Sequence, residues 1–339
     1  MITTAEYLED ILSRPTTADA AALRALEGDL LILGVGGKMG PTLAIRAKRA
    51  IDLAGLRQRV IGVSRFTSPG LAERLAGAGV EAVRADLLDR DALGALPDAP
   101  NVFFMAGRKF GTEGAEHWTW AMNVLLPALA AERYRDSRFV VFSSGNVYPL
   151  RKVAEGGAAE DAATGPVGEY AQSVLGRERV FQHYADRGGT RSLLLRLNYA
   201  VEMRYGVLAD IARKVHERRP VDVAMGSVNA IWQGDANSVA LRSFPLCSAP
   251  PAVLNVTGPE TISVRAAAER FGRLFGVDPR IEGTEDSTAL LSDAGKCHRL
   301  FGYPSVSAGE TIEWIAEWIL AGGASLDKPT HFEARDGRF

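Results

Sequence analysis

Leu30-Leu31-Ile32-Leu33-Gly34-Val35-Gly36-Gly37-Lys38-Met39-Gly40-Pro41 is the stretch on which the reading of the fold turns. An unbroken apolar run passes into glycines at 34, 37 and 40, and a helical pattern opens at Pro41, a residue suited to a first helical turn. Strand, tight turn and helix N-terminus in that order make a cradle for a pyrophosphate. The backbone can approach the anion closely, and the first-turn N–H groups point at it.

Outward from this stretch the pattern repeats. Val60–Val63, Val80–Val83, Val102–Met105, Phe139–Phe142 and Ser192–Leu197 are further short apolar runs, separated by lengths that suit crossover helices. Continuous apolar runs are the mark of strands buried on both faces, so the expected fold is α/β, a doubly wound parallel sheet. After about residue 200 the alternation gives way to helical stretches at 207–218, 263–275 and 309–320, with short strands near Val221 and Leu254. We therefore expect a helical N-terminal extension over 1–28, a dinucleotide-binding domain over 29–200 and a smaller substrate-binding lobe over 201–330. In the extension Pro15 separates two amphipathic segments, and Thr17 is the expected N-cap of the second.

Composition narrows the function classes. The chain has 339 residues, with 39 Lys plus Arg against 41 Asp plus Glu. A net charge of −2 leaves no basic footprint for nucleic acid or an anionic membrane. No apolar run approaches the roughly 20 residues that span a bilayer, and Glu6, Glu9 and Asp10 stand where a secretory signal carries basic residues, so the cytoplasm is the expected location. Cys247 and Cys297 are too few for a disulfide framework or a zinc site, and no metal is expected.

The second strand ends in Val63-Ser64-Arg65, where a cofactor with a free ribose hydroxyl calls for Asp or Glu. A guanidinium and a hydroxyl suit a 2′-phosphate, and Lys38 in the glycine loop adds a second cation nearby, so NADP is expected ahead of NAD.

These motifs, in this order, resemble the extended short-chain dehydrogenase/reductase family, also called the NAD-dependent epimerase/dehydratase family. Asp86-Leu87, Ala106-Gly107, Asn123, Ser143-Ser144-Gly145-Asn146-Val147-Tyr148, Tyr170-Ala171-Gln172-Ser173, Leu195-Arg196-Leu197-Asn198, Gln233-Gly234-Asp235, Leu254-Asn255-Val256 and the ending from Asp293 to Tyr303 carry the likeness. The resemblance implies a Rossmann fold, with Gly34, Gly36, Gly37, Lys38, Met39, Gly40, Ser64, Arg65, Asp86, Leu87, Ala106, Gly107 and Asn123 around the cofactor. It also implies that Ser144 and Tyr170 bracket the reacting carbinol or carbonyl. The tyrosine exchanges a proton with the substrate oxygen, and the serine hydrogen-bonds it.

One departure is sharp. The family's lysine four residues after the tyrosine is Val174 here. At that spacing the two side chains share a helix face, where an ammonium would lower the tyrosine pKa. Without it Tyr170 is a poor base but still a proton donor, which favours reduction over oxidation. Lys109 is the expected substitute cation, ahead of Lys152 and Arg177. Gly145-Asn146 replaces the Asp-Glu pair of the family's 4,6-dehydratases, so dehydration is not expected. Asn146, Arg204, Asn229 and Trp232 are the expected substrate contacts, with Arg204 suited to an anionic group. The expectation is an NAD(P)-dependent oxidoreductase that moves hydride on a sugar-like polyol, sugar acid or nucleotide sugar. An NAD-dependent sugar epimerase or a non-catalytic dinucleotide-binding protein are the alternatives. A sugar-like small molecule is the expected partner, and a homodimer is a candidate assembly.

Overall fold

The computed structural model describes residues 2–109, 111–328 and 330–337. Seven strands form the main sheet: β1 (Leu30–Leu33), β2 (Val60–Ser64), β3 (Glu81–Arg84), β4 (Asn101–Phe104), β5 (Arg138–Ser144), β6 (Arg191–Leu197) and β7 (Ala252–Val256). Their spatial order is β3-β2-β1-β4-β5-β6-β7, with every pairing parallel. This is the doubly wound α/β fold that the apolar runs predict. All four residues of β1 are buried, Leu30 and Ile32 against one helical layer and Leu31 and Leu33 against the other. Two-faced burial is why these strands read as unbroken apolar runs.

The strand near Leu254 is the main difference from expectation. It pairs with β6 from Ala252↔Leu193 to Val256↔Leu197 and so belongs to the sheet, not to the lobe. The chain therefore returns to the first unit after building part of the second. Three helices, Val207–His216, Val264–Phe275 and Ala308–Leu320, bury a separate apolar cluster that forms the lobe.

The N-terminal extension forms two helices, Ala5–Leu12 and Thr17–Arg24. Thr16, not Thr17, caps the second, in a reciprocal capping box with Asp19. Asp19 is fully buried and accepts hydrogen bonds from Arg46 Nε at 2.8 Å and Ser238 Oγ at 2.6 Å. It ties the extension both to the Gly40–Leu53 helix after the glycine loop and to the Gln233–Arg242 helix.

Candidate active site

The sheet order reverses between β1 and β4, and in open α/β sheets ligands bind outside the carboxyl ends of the strands at such a switch point. Two cavities meet there, sharing Gly34, Gly37 and Met105. The first, of about 250 Å³, is lined by Gly34, Gly37, Lys38, Met39, Gly40, Lys109, Ser144, Asn146 and Tyr170 among others. The second, of about 200 Å³, is lined by Gly36, Ser64, Arg65, Asp86, Leu87, Ala106 and Gly107 among others.

The glycine loop fits a dinucleotide. Gly34 sits at φ +90°, and a Cβ there would lie 2.5 Å from the Ala106 nitrogen. Gly37 faces open space, with only the Gly34 carbonyl, at 3.4 Å, within 4 Å of its virtual Cβ. The backbone at the junction of the two cavities is thus bare, next to a helix whose first-turn N–H groups have no intrahelical partner.

Ser144 ends β5, and Tyr170 lies in the first turn of the Gly168–Gly188 helix. Both side chains line the first cavity, and the Ser144 hydroxyl acts on that of Tyr170. Ser144 Oγ also donates to Asn146 Oδ1 at 2.8 Å and accepts from the Asn146 amide at 3.1 Å. Beneath them Glu178 accepts from Ser143 Oγ at 2.5 Å and pairs with Arg196 at 2.7 Å, which fixes the end of β5 against β6. Burial pushes the Tyr170 hydroxyl above its ordinary pKa, opposed by the nearby Arg177 guanidinium and by the Ser144 hydrogen bond.

Val174 is buried in an apolar cluster with Val147, Tyr148 and Ala158. The buried Arg177 lies on the same helix, seven residues after Tyr170. Its guanidinium donates to the Phe142 carbonyl at 2.6 Å and to Asn123 Oδ1 at 2.8 Å. A Cβ on residue 107 would come within 2.5 Å of it, so the glycine there leaves the room it occupies. Lys109 reaches the first cavity, with its ammonium over the Tyr170 ring 5.7 Å from the centroid. Lys152 is exposed and pairs with Glu155.

Several expected contacts are corrected. Lys38 does not stand beside Arg65: its ammonium donates to the Ala200 carbonyl at 2.8 Å and lies over the Tyr205 ring, in the first cavity. Asn123 lines neither cavity. Its amide bonds the Arg108 backbone, Ser173 and Arg177, which fixes the loop after β4. Arg204 is held by Glu202 and Glu9. Asn229 is spent on Asn198 and Ser292. Trp232 packs edge-on against Trp314 in the cluster that seats the N-terminal helix. None of these three lines the first cavity; of the expected substrate contacts only Asn146 does.

Sequence reading missed Tyr199, Tyr205 and Thr330, which complete the first cavity. Tyr199 follows Asn198 with φ +46°, a left-handed conformation that is uncommon for a non-glycine residue. Thr67, Ala85 and Met122 were missed at the second cavity; Arg84, at the end of β3, donates to the backbone carbonyls of Arg65 and Phe66.

The sequence matches the family model "NAD dependent epimerase/dehydratase family" over residues 30–233. No curated protein matches significantly. Similar solved structures include UDP-glucose 4-epimerase from Thermotoga maritima, 16% identical, covering 87% of this chain and 99% of that one, TM-score 0.71. UDP-glucuronic acid 4-epimerase from Bacillus cereus, solved with NAD, is 17% identical and covers 86% and 98%, TM-score 0.71. Pal from Bacillus thuringiensis is 15% identical and covers 86% and 99%, TM-score 0.72. At these identities the structures speak for the fold. The family match spans more than half of the chain and accords with the glycine loop, the strand order and the Ser144–Tyr170 pair, so the chain belongs to the NAD-dependent epimerase/dehydratase family of enzymes.

Proposed function

We propose that the protein is an NADP(H)-dependent oxidoreductase that works as a carbonyl reductase on a sugar-like substrate. The observation that carries this reading is the Ser144–Tyr170 hydroxyl pair beside the glycine loop, with valine where an ammonium would make the tyrosine a base. A reduced nicotinamide, when bound, supplies the hydride. The chain's own residues do the rest. Ser144 hydrogen-bonds the substrate carbonyl oxygen, and Tyr170, kept protonated by burial, donates the proton that turns that oxygen into a hydroxyl. Hydride to carbon and proton to oxygen balance the reduction. Arg177 steadies the tyrosinate that is left behind, until solvent returns the proton.

Ser64 and Arg65 line the second cavity and β2 ends without a carboxylate, which supports a 2′-phosphate there. A charge-assisted contact of this kind is worth about 1.5–3 kcal/mol. Calorimetric titration of wild type and Arg65→Ala with both cofactors tests it: NADP affinity should fall about tenfold or more and NAD affinity should barely change. Equal loss for both would rule out the phosphate role.

A further inference from the structure

The turn that follows β2 places Ser64, Arg65 and Thr67 along the second cavity, while Phe66 between them is buried in an apolar cluster with Val35 and Leu71. Phe66 is left-handed, at φ +47°. Such a backbone is costly for a bulky residue and persists only where its surroundings hold it.

Two side chains hold it here. Ser64 Oγ accepts from the Phe66 amide at 3.3 Å, and a Cβ on residue 36 would come within 2.4 Å of that oxygen, so the glycine loop leaves it room. Arg84 Nη1 donates to the carbonyl of Arg65 and, at 3.3 Å, to that of Phe66, with its guanidinium carbon 5.8 Å from the centre of the Phe66 ring. These carbonyls belong to the two peptide planes that join Arg65 to Thr67. Arg84 stands opposite Ser64 in the parallel register of β3 with β2, so the sheet itself delivers it to the turn. It is not among the described residues that line the second cavity.

We propose that Arg84 is a positioning residue for the cofactor's 2′-phosphate: it holds the 64–67 turn in the shape from which the Arg65 guanidinium meets that group, without meeting it itself. The inference rests on the NADP reading above and deepens it. A side chain whose backbone is ordered before the ligand arrives loses less freedom on binding, and the grip of Arg84 on two consecutive carbonyls orders the backbone that carries Arg65. NAD has a hydroxyl in place of the phosphate and makes no use of the Arg65 charge, so its affinity is independent of Arg84.

The test is calorimetric titration of NADP and of NAD into the full chain as wild type, Arg84→Met, Arg65→Ala and the double variant. Arg84 is exposed on the edge strand of the sheet, so its replacement leaves the core intact. We expect Arg84→Met to weaken NADP at least about threefold and NAD less than about twofold, and to change NADP affinity less than about twofold once Arg65 is already alanine. An NADP affinity unmoved by Arg84→Met, an equal loss of both cofactors in that variant, or an undiminished loss with Arg65 absent would each overturn the inference, the last by making Arg84 a direct contact of the phosphate. Failure of the NADP reading has a different signature. If wild type binds NAD as tightly as NADP, or Arg65→Ala weakens both cofactors alike, the phosphate role of Arg65 is lost and the inference with it.

Discussion

The cation that acts on Tyr170 is Arg177. Four residues along its helix the space is apolar and closed by Val174, and seven residues along Arg177 brings a guanidinium into the same region from below. Arg177→Met should therefore raise the Tyr170 pKa further and move the alkaline limb of the reduction rate to higher pH, a shift that a merely structural role would not produce. A pH–rate profile that falls in amplitude but keeps its limb in place would contradict this. Lys109 makes a second prediction. Its pKa is lowered to about 8 in the folded protein, against about 10.4 unfolded, so between those values the unfolded chain binds more protons and stability rises with pH. Below about pH 8 the full penalty of the buried ammonium is present. Lys109→Met should raise the Tm of the ligand-free protein most below pH 8, with the gain shrinking toward pH 10, as thermal melts across that range would show. At this scale the glycine loop, Ser144 and Tyr170 were legible because each is fixed by a strand end or a helix start next to it in sequence. Arg204, Asn229 and Trp232 were not. Whether such side chains face a ligand or a structural partner depends on residues far away in the chain, Glu9 for Arg204 and Ser292 for Asn229.

The strands and helices were the most legible elements. Six apolar runs are six strands of the sheet, and the helices at 207–218, 263–275 and 309–320 appear as Val207–His216, Val264–Phe275 and Ala308–Leu320. Burial on both faces writes a strand into sequence directly, whereas its place in the sheet is a long-range pairing, which is why β7 was assigned to the lobe. The N-terminal helices looked like an appendage. The buried Asp19–Arg46 pair, 2.7 Å apart, makes them part of the support for the glycine-loop helix instead. Asp19→Ala would strand the Arg46 guanidinium in the interior and should cost about 3–5 kcal/mol of stability, read as a lower denaturation midpoint. An unchanged midpoint would mean that the extension is not integral to the fold.

Across the whole molecule, the sheet's switch point, the lobe and the segment 330–337 converge on one cavity. The sheet brings the bare glycine backbone and Ser144, the lobe brings Tyr199 and Tyr205, and the segment 330–337 brings Thr330. The segment 330–337 has no signature in sequence, because its position is set by contacts with the lobe, Thr330 with Asp210 and Phe332 in the lobe cluster, rather than by any periodicity of its own. The account stands or falls on Tyr170 as the proton donor of a reduction. The most direct measurement is NADPH consumption on a panel of sugar-like carbonyl compounds, in wild type and Tyr170→Phe, with cofactor binding confirmed for the variant. The account predicts that Tyr170→Phe binds cofactor normally and loses turnover by at least about 100-fold; full turnover in the variant would contradict it.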